Sequence, residues 1–153
     1  MRKLALFAAL FSCQAAAGDL WLQLNGVSYH PDSYDCTSTT TGMKTCNENN
    51  SGFGFQYDAS TKGDKTTSYV VGTLINSFRQ RSYYVGGFSL YGNQYAKIGY
   101  FYGVMRYPND GAVGDTIPAI LPVAAFKYGN VGINVTYLYP AWFVQAQIRL
   151  GDF

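Results

Sequence analysis

Eight short segments of this chain alternate apolar and polar side chains, and this period of two constrains the fold more than any other feature. In the last of them, residues 142–150, Val144 and Ile148 alternate with Gln145 and Gln147. Successive side chains of a β-strand point to opposite faces of a sheet, so each segment presents one apolar face. No helical period of apolar residues is sustained after the first 17 residues. The sequence therefore predicts an all-β protein.

The connections between the predicted strands alternate in length. Short polar turns follow strands two, four and six, whereas the two longest connections, residues 31–51 and 106–117, follow strands one and five. Bacterial outer-membrane barrels have short periplasmic turns and longer external loops, and a sheet in a bilayer must close on itself. We therefore predict an eight-stranded antiparallel transmembrane β-barrel of the bacterial outer membrane. The predicted strands span residues 20–30, 52–58, 67–77, 82–90, 94–105, 118–128, 131–139 and 142–150.

The first 17 residues have the features of a secretory signal peptide. A basic start at Arg2 and Lys3 precedes a short apolar run, and three alanines then lead to Gly18. The apolar run is shorter than the roughly 20 residues that a membrane-spanning helix needs. We therefore predict a signal peptide at residues 1–17 and one barrel domain at residues 18–153.

Composition supports export to a membrane and excludes nucleic-acid binding. Two of the 11 basic residues lie in the signal peptide, so nine basic residues face nine acidic ones and leave no basic excess. Fourteen Tyr and ten Phe are typical of barrels whose aromatic rings lie at the membrane interfaces. In an oxidising compartment Cys36 and Cys46 are expected to form a disulfide. An alternative places a lipid anchor on Cys13, although Phe11 nearby suits such a site poorly.

Polar residues gather where strands one and three reach the outer rim of the predicted barrel. His30 ends strand one, and Asn76 and Ser77 end strand three, so all three are expected on one rim. A histidine can take the proton of a serine hydroxyl, so the pair supplies the general base and the nucleophile that acyl transfer needs. Arg79 and Arg81 follow on the same rim and suit lipid phosphates. The alternative is that all of these are ordinary exposed loop residues without chemistry.

Three prolines lie near the outer ends of strands six and seven. Pro118 and Pro122 fall in the first half of strand six, and Pro140 follows strand seven. A proline has no N–H for the ladder, and in a membrane such a loss costs several kcal/mol. The prolines therefore indicate lateral access for lipid between these two strands. The alternative that Pro118 and Pro140 lie outside the hydrocarbon stays open.

Four segments of the chain together resemble the PagP-like outer-membrane lipid A acyltransferases. The resemblance implies an eight-stranded barrel that holds one acyl chain and admits lipid sideways near prolines. It also implies transfer of a palmitoyl chain from a phospholipid to lipid A. We accordingly expect membrane lipids as partners, a monomer, and no cofactor or metal. The segments are NGVSYH at 25–30, NSF at 76–78, IPAILPVAAFKYG at 117–129 and VTYLYP at 135–140.

The site residues that this family requires are a histidine on the first loop and an Asp–Ser pair on the second. His30 and Ser77 match two of them, and Asn76 stands where the family has aspartate. Asp32 or Asp35 on the first loop is a candidate to supply the carboxylate. Two other functions remain: a lipid A deacylase, although the HxS pair of those enzymes is absent, and a non-enzymatic barrel that binds a partner through its loops.

The predicted interior has room at two glycines of strand five, Gly99 and Gly103. We expect Tyr95, Phe101 and Met105 to point inward and to fill part of that space. An acyl chain needs a cavity that reaches from the rim towards the middle of the barrel.

Overall fold

The computed structural model describes residues 18–31, 36, 45–108 and 116–153. Within these residues the chain forms one closed antiparallel barrel of eight strands, in which each strand pairs with its neighbours in sequence and β1 pairs with β8. The predicted all-β fold and strand number are therefore confirmed. The strands are β1 (Asp19–Tyr29), β2 (Asn49–Lys62), β3 (Lys65–Ile75), β4 (Arg81–Gly92), β5 (Ala96–Arg106), β6 (Thr116–Tyr128), β7 (Val131–Leu138) and β8 (Ala141–Asp152).

The alternation of side chains decides which face of each strand points into the barrel. In β1 the side chains of Trp21, Gln23 and Asn25 are buried inside, whereas Leu24 and Val27 are exposed outside. The polar face of this strand therefore points inward, the reverse of a water-soluble sheet. Because β1 pairs with β8, the described sheet closes on itself and has no free first or last strand.

The outer surface of the barrel is apolar. Ile98 and Ile120 are 69% and 78% exposed, and aromatic rings such as Tyr128 and Tyr139 lie near the two ends. A soluble monomer rarely exposes so much contiguous apolar surface, whereas a membrane barrel carries an apolar band flanked by aromatic residues. The closed sheet and this surface are those of a β-barrel of the bacterial outer membrane, as predicted.

Two-residue turns close the barrel at one end. Gly63–Asp64 joins β2 to β3, and Gly129–Asn130 joins β6 to β7. Both glycines have positive φ angles, 59° and 58°, which cost little without a Cβ atom. The connections at the opposite end include the two long ones that follow β1 and β5. The predicted long connections after β1 and β5 and short turns after β2, β4 and β6 are confirmed, but β7 joins β8 through only Tyr139 and Pro140, so the alternation does not extend to the last connection. The end with the two long loops is called the outer rim below.

The prediction that Tyr95 points inward is wrong. The side chain of Asn93 accepts hydrogen bonds from backbone N–H groups and turns the chain before β5 begins. Tyr95 lies in that turn, is 54% exposed, and stacks on Tyr128 outside the barrel with 6.2 Å between ring centroids. Phe101 and Met105 are buried inside as expected.

The interior from mid-barrel to the short turns is filled by hydrogen-bonded polar side chains. Oε1 of Gln56 accepts hydrogen bonds from the side-chain amides of Gln23, Gln147 and Asn134, at 3.0, 2.8 and 3.3 Å. All four residues are almost completely buried. We call this group the Gln56 cluster, and it closes the inner half of the barrel.

The ladder between β6 and β7 is incomplete towards the outer rim. It ends at the pair Val123–Thr136, while β6 continues outward to Thr116 paired with β5 but not with β7. Pro118 and Pro122 lie in this outer part of β6, and neither has an N–H group to donate. The hydrogen-bonded wall of the barrel is therefore broken here.

The predicted signal peptide, residues 1–17, lies outside the described residues, as do Asp32 and Asp35. No helix in the part of the chain that the structure describes is long and apolar enough to cross a membrane.

Candidate functional site

His30 and Ser77 meet at the outer rim. His30 directly follows β1, and Ser77 lies two residues after the end of β3. The two strands are separated by β2, but their ends converge so that Nε2 of His30 lies 2.8 Å from Oγ of Ser77. Both side chains are buried, with 6% and 4% of their surface exposed. The structure therefore brings together the two residues that the sequence placed on one rim.

The side chain of Asn76 holds the turn between β3 and β4. Its Oδ1 accepts hydrogen bonds from the N–H groups of Phe78 and Gln80, both at 2.9 Å. Its Nδ2 donates to the carbonyl oxygen of Pro108 at 2.6 Å. An aspartate could accept the first two bonds but could not donate the third. A catalytic role for Asn76, at the position where the family has aspartate, stays a prediction.

The end of the first loop is hydrogen-bonded to this turn. The N–H of Asn47 donates to the carbonyl oxygen of Ser77 at 2.9 Å, and its side-chain amide donates to the carbonyl oxygen of Asn76 at 3.1 Å. Asn47 directly follows Cys46, which forms the predicted disulfide with Cys36. The disulfide therefore restrains the segment that contacts the Ser77 turn.

The disulfide also lies against the imidazole. One candidate ligand atom from each of His30, Cys36 and Cys46 lies within 4.8 Å of the other two. Zinc binds cysteine as the thiolate, and here the two sulfur atoms are bonded to each other. In this oxidised form the group packs the disulfide beside His30 and offers a metal no thiolate.

Tyr107 is a member of the site that sequence reasoning missed. Its hydroxyl lies 3.0 Å from Oγ of Ser77, and the N–H of Ser77 points to the same hydroxyl at 3.4 Å. Its ring packs edge-on against Phe78, with 6.4 Å between centroids. Tyr107 follows β5 directly, 30 positions from Ser77, so no local motif links the two.

Burial and charge act in opposite directions on His30. Burial lowers the pKa of the imidazole, and the nearby carboxylate of Glu48 raises it, with burial the larger effect. The Glu48 carboxylate also accepts a hydrogen bond from the backbone N–H of His30 at 3.4 Å. The lowered pKa favours the neutral imidazole, which is the form that can accept a proton.

An apolar cavity of about 50 Å³ lies inside the outer half of the barrel. Tyr107 links it to Ser77, and Leu121 and Leu138 line it at the level where β6 and β7 are not paired. At its inner end Tyr84 donates a hydrogen bond to Gln23 at 3.0 Å, so the cavity rests on the Gln56 cluster. The lining residues are Leu74, Tyr84, Phe88, Phe101, Met105, Tyr107, Leu121, Thr136, Leu138, Phe143 and Gln145.

Arg79 and Arg81 lie on the same rim, in the turn that contains Ser77 and at the start of β4. Both are exposed, and Arg79 has a positive φ of 61° in the turn. Nη1 of Arg81 contacts Oγ1 of Thr73 at 3.5 Å. Their predicted role in binding phosphate stays a prediction.

Comparison with known proteins gives little beyond the fold. No protein-family model matches this chain, and no curated protein matches its sequence. One solved structure with a similar fold is the outer membrane protein Ail of Yersinia pestis in phospholipid bilayer nanodiscs. It has a TM-score of 0.49 and 14% sequence identity, over 87% of this chain and 99% of that one. These comparisons assign no function to the chain.

Proposed function

We propose that the protein is an outer-membrane acyltransferase that moves a fatty acyl chain, such as palmitoyl, from a phospholipid to lipid A. The observation that carries this proposal is the 2.8 Å contact between His30 Nε2 and Ser77 Oγ beside an apolar cavity inside the barrel. A buried base and hydroxyl that Tyr107 connects to an apolar cavity suit an ester whose acyl chain enters the interior. A palmitoyl chain is larger than the cavity of about 50 Å³, so its binding requires the lining side chains to move apart. The resemblance to lipid A acyltransferases supplies the substrate class.

The chemistry follows from the pair. Neutral His30 takes the proton of Ser77 as Oγ bonds to the carbonyl carbon of the donor ester. The carbon–oxygen bond to the glycerol breaks, and the lysophospholipid leaves with the proton from His30. A hydroxyl of lipid A then attacks the acyl-serine, His30 takes its proton, and Ser77 recovers that proton as the new ester departs. The net reaction exchanges one ester for another and needs no cofactor.

Two further features support a lipid substrate. The unpaired outer part of β6, with Pro118 and Pro122, and the nearby Pro140 lie beside the cavity wall and offer a route for an acyl chain from the bilayer. Arg79 and Arg81 are exposed on the same rim, where lipid phosphates lie. These five residues extend the proposed site from the reacting atoms to the surrounding membrane.

Mass spectrometry of lipid A tests the proposal. Lipid A from cells that produce the protein should gain one fatty acyl chain, and the gain should be absent with the Ser77→Ala and His30→Ala variants. Loss of an acyl chain would instead identify a deacylase. An unchanged profile, with the folded protein in the outer membrane, would contradict the proposal and favour a barrel that binds a partner through its loops.

A further inference from the structure

We infer that Tyr107 is a catalytic residue, and that its hydroxyl and the backbone N–H of Ser77 together bind the oxyanion that forms during acyl transfer. The inference rests on the proposed function in taking Ser77 Oγ as the nucleophile. It goes beyond it by assigning the groups that stabilise the transition state. Attack on an ester places negative charge on the carbonyl oxygen, and preorganised donors at that position are usually the largest single contribution to catalysis.

The hydrogen bonds of the turn leave one backbone donor for this purpose. The N–H of Asn76 donates to the carbonyl oxygen of Gln80, and that of Arg79 donates to the carbonyl oxygen of Asn76. The N–H groups of Phe78 and Gln80 donate to Asn76 Oδ1. The fifth N–H of this described turn, that of Ser77, faces only a phenol oxygen at 3.4 Å. A hydroxyl that far away is easily exchanged for a charged acceptor.

The Tyr107 hydroxyl is the second donor. If Ser77 Oγ donates its proton to His30 Nε2, then Oγ can accept the proton of the Tyr107 hydroxyl at 3.0 Å. When Oγ bonds to the acyl carbon, it becomes an ester oxygen and a weaker acceptor. The negative charge then lies on an oxygen attached to that same carbon, within reach of the rotating hydroxyl. Tyr107 keeps its proton throughout and gives a hydrogen bond only.

Tyr107 is also placed where the acyl chain must lie. Tyr107 lines the apolar cavity and its hydroxyl contacts Ser77 Oγ, so an ester whose acyl chain enters the cavity brings its carbonyl close to both groups. The next residue, Pro108, is held by the hydrogen bond from Asn76 Nδ2 at 2.6 Å. Asn76 is therefore a positioning residue for Tyr107, and this role requires the amide N–H that an aspartate lacks.

Reaction of Ser77 with a long-chain alkyl fluorophosphonate tests the inference without an acceptor lipid. Oγ bonds to phosphorus, fluoride leaves, and His30 takes the serine proton, while the phosphoryl oxygen occupies the position of the oxyanion. The labelling rate is measured by intact-protein mass on the full barrel folded in detergent micelles, with the site located by peptide mapping. Heat-dependent gel migration verifies that each variant is folded.

The Tyr107→Phe variant keeps the ring and removes the donor. Its maximal labelling rate should fall about 100-fold, the usual effect of losing one oxyanion donor, with little change in the probe concentration at half-maximal rate. Tyr83→Phe is the matched control, because Tyr83 faces outward near the outer-rim end of β4. This variant should be labelled at the wild-type rate. Wild-type labelling by Tyr107→Phe would overturn the inference, as would an unlabelled Ser77 in the wild type.

The Asn76→Asp variant tests the positioning role. It should also lower the maximal rate, because a carboxylate repels the Pro108 carbonyl and releases Tyr107. A higher rate would overturn that role and make Asn76 a weakened substitute for aspartate. The lipid A assay separates the two proposals. If labelling depends on Tyr107 but lipid A is unchanged, this inference is supported and the proposed substrate is contradicted. If the Tyr107→Phe variant still adds a full acyl chain to lipid A, the proposed substrate is supported and this inference is contradicted.

Discussion

The two halves of the barrel interior differ in how they treat polar groups. In the inner half, the Gln56 cluster and the ion pair between Lys127 and Asp58, at 2.6 Å, fill the space with interacting polar side chains. In the outer half the lining is mostly apolar, and polar atoms gather at the rim around His30 and Ser77. Both halves are built from the same eight strands. The inner half is therefore closed by hydrogen bonding, and the outer half keeps a cavity below a reactive pair.

Filling a barrel with polar groups costs stability unless each group is paired. Lys127 meets this condition twice, since its ammonium group also lies 4.0 Å from the centre of the Trp21 ring. A network of this kind is rigid when complete and costly when one partner is lost. The inner half thus closes the cavity from below and stabilises the barrel, whereas the outer half contains the reactive groups. Four substitutions test that assignment.

Ser77→Ala should have the largest effect. Loss of the nucleophile should reduce acyl transfer by about 1,000-fold or more, which corresponds to about 4 kcal/mol in the activation free energy. The measurement is the rate of acyl transfer by the purified, folded protein. Ser82→Ala is the matched control, because Ser82 is a buried serine of the outer half whose hydroxyl has no hydrogen-bond partner among the described residues. Equal activity in the two variants would place the chemistry elsewhere.

Gln56→Leu should act on stability and leave the chemistry intact. The substitution leaves the amide groups of Gln23, Asn134 and Gln147 without their shared acceptor, which should lower the free energy of unfolding by about 3 kcal/mol. Urea unfolding in lipid vesicles measures this loss. Gln94→Leu, at an exposed position in a short turn, should have little effect. A Gln56→Leu protein of normal stability that had lost transfer per folded molecule would reverse the roles of the two halves.

Leu121→Trp tests the cavity and the break beside it. Leu121 lines the cavity on the part of β6 that is not paired with β7, so a larger ring should obstruct the acyl chain. We expect transfer from long-chain donors to fall about tenfold, which corresponds to about 1.4 kcal/mol in the activation free energy. Ile120→Trp changes the neighbouring outward-facing residue and should leave the rate unchanged. Equal rates in both variants would argue against the cavity as the acyl site.

Glu48→Gln should have the smallest effect, a shift in pH dependence. Burial lowers the pKa of His30 and the Glu48 charge opposes this, so removing the charge should lower the pKa further. Transfer requires the neutral imidazole and is lost as the pH falls through this pKa. The acid side of the pH–rate profile should therefore move to lower pH. Asp64→Asn, in an exposed turn at the other end, should not move it. A shift to higher pH would contradict the account.

The barrel could be predicted from the sequence because its signals are local. Alternation over 7 to 12 residues, glycine turns and loop lengths identified all eight strands and the orientation of most side chains. Tyr95 was misplaced because the predicted fifth strand began two residues before β5, in a turn that is held by hydrogen bonds to Asn93. Alternation cannot indicate where a turn takes over from a strand.

The site could be predicted only in part, because its geometry depends on contacts between distant segments. Strand direction placed His30 and Ser77 on one rim, but their 2.8 Å separation depends on how the strand ends converge. Tyr107 carries no motif, and it reaches Ser77 because Asn76 holds the adjacent Pro108. From the sequence, Asn76 is interpreted as an asparagine in place of the family's carboxylate. In the structure its side-chain amide donates a hydrogen bond to the carbonyl oxygen of Pro108, which a carboxylate cannot do.

Transfer in reconstituted vesicles tests the central claim most directly. The purified barrel is inserted into vesicles that contain lipid A and a phospholipid with an isotope-labelled acyl chain, and both products are followed by mass spectrometry. The account predicts labelled lipid A and lysophospholipid in equal amounts, both dependent on His30 and Ser77. No label on lipid A, or equal labelling by wild type and Ser77→Ala, would contradict it.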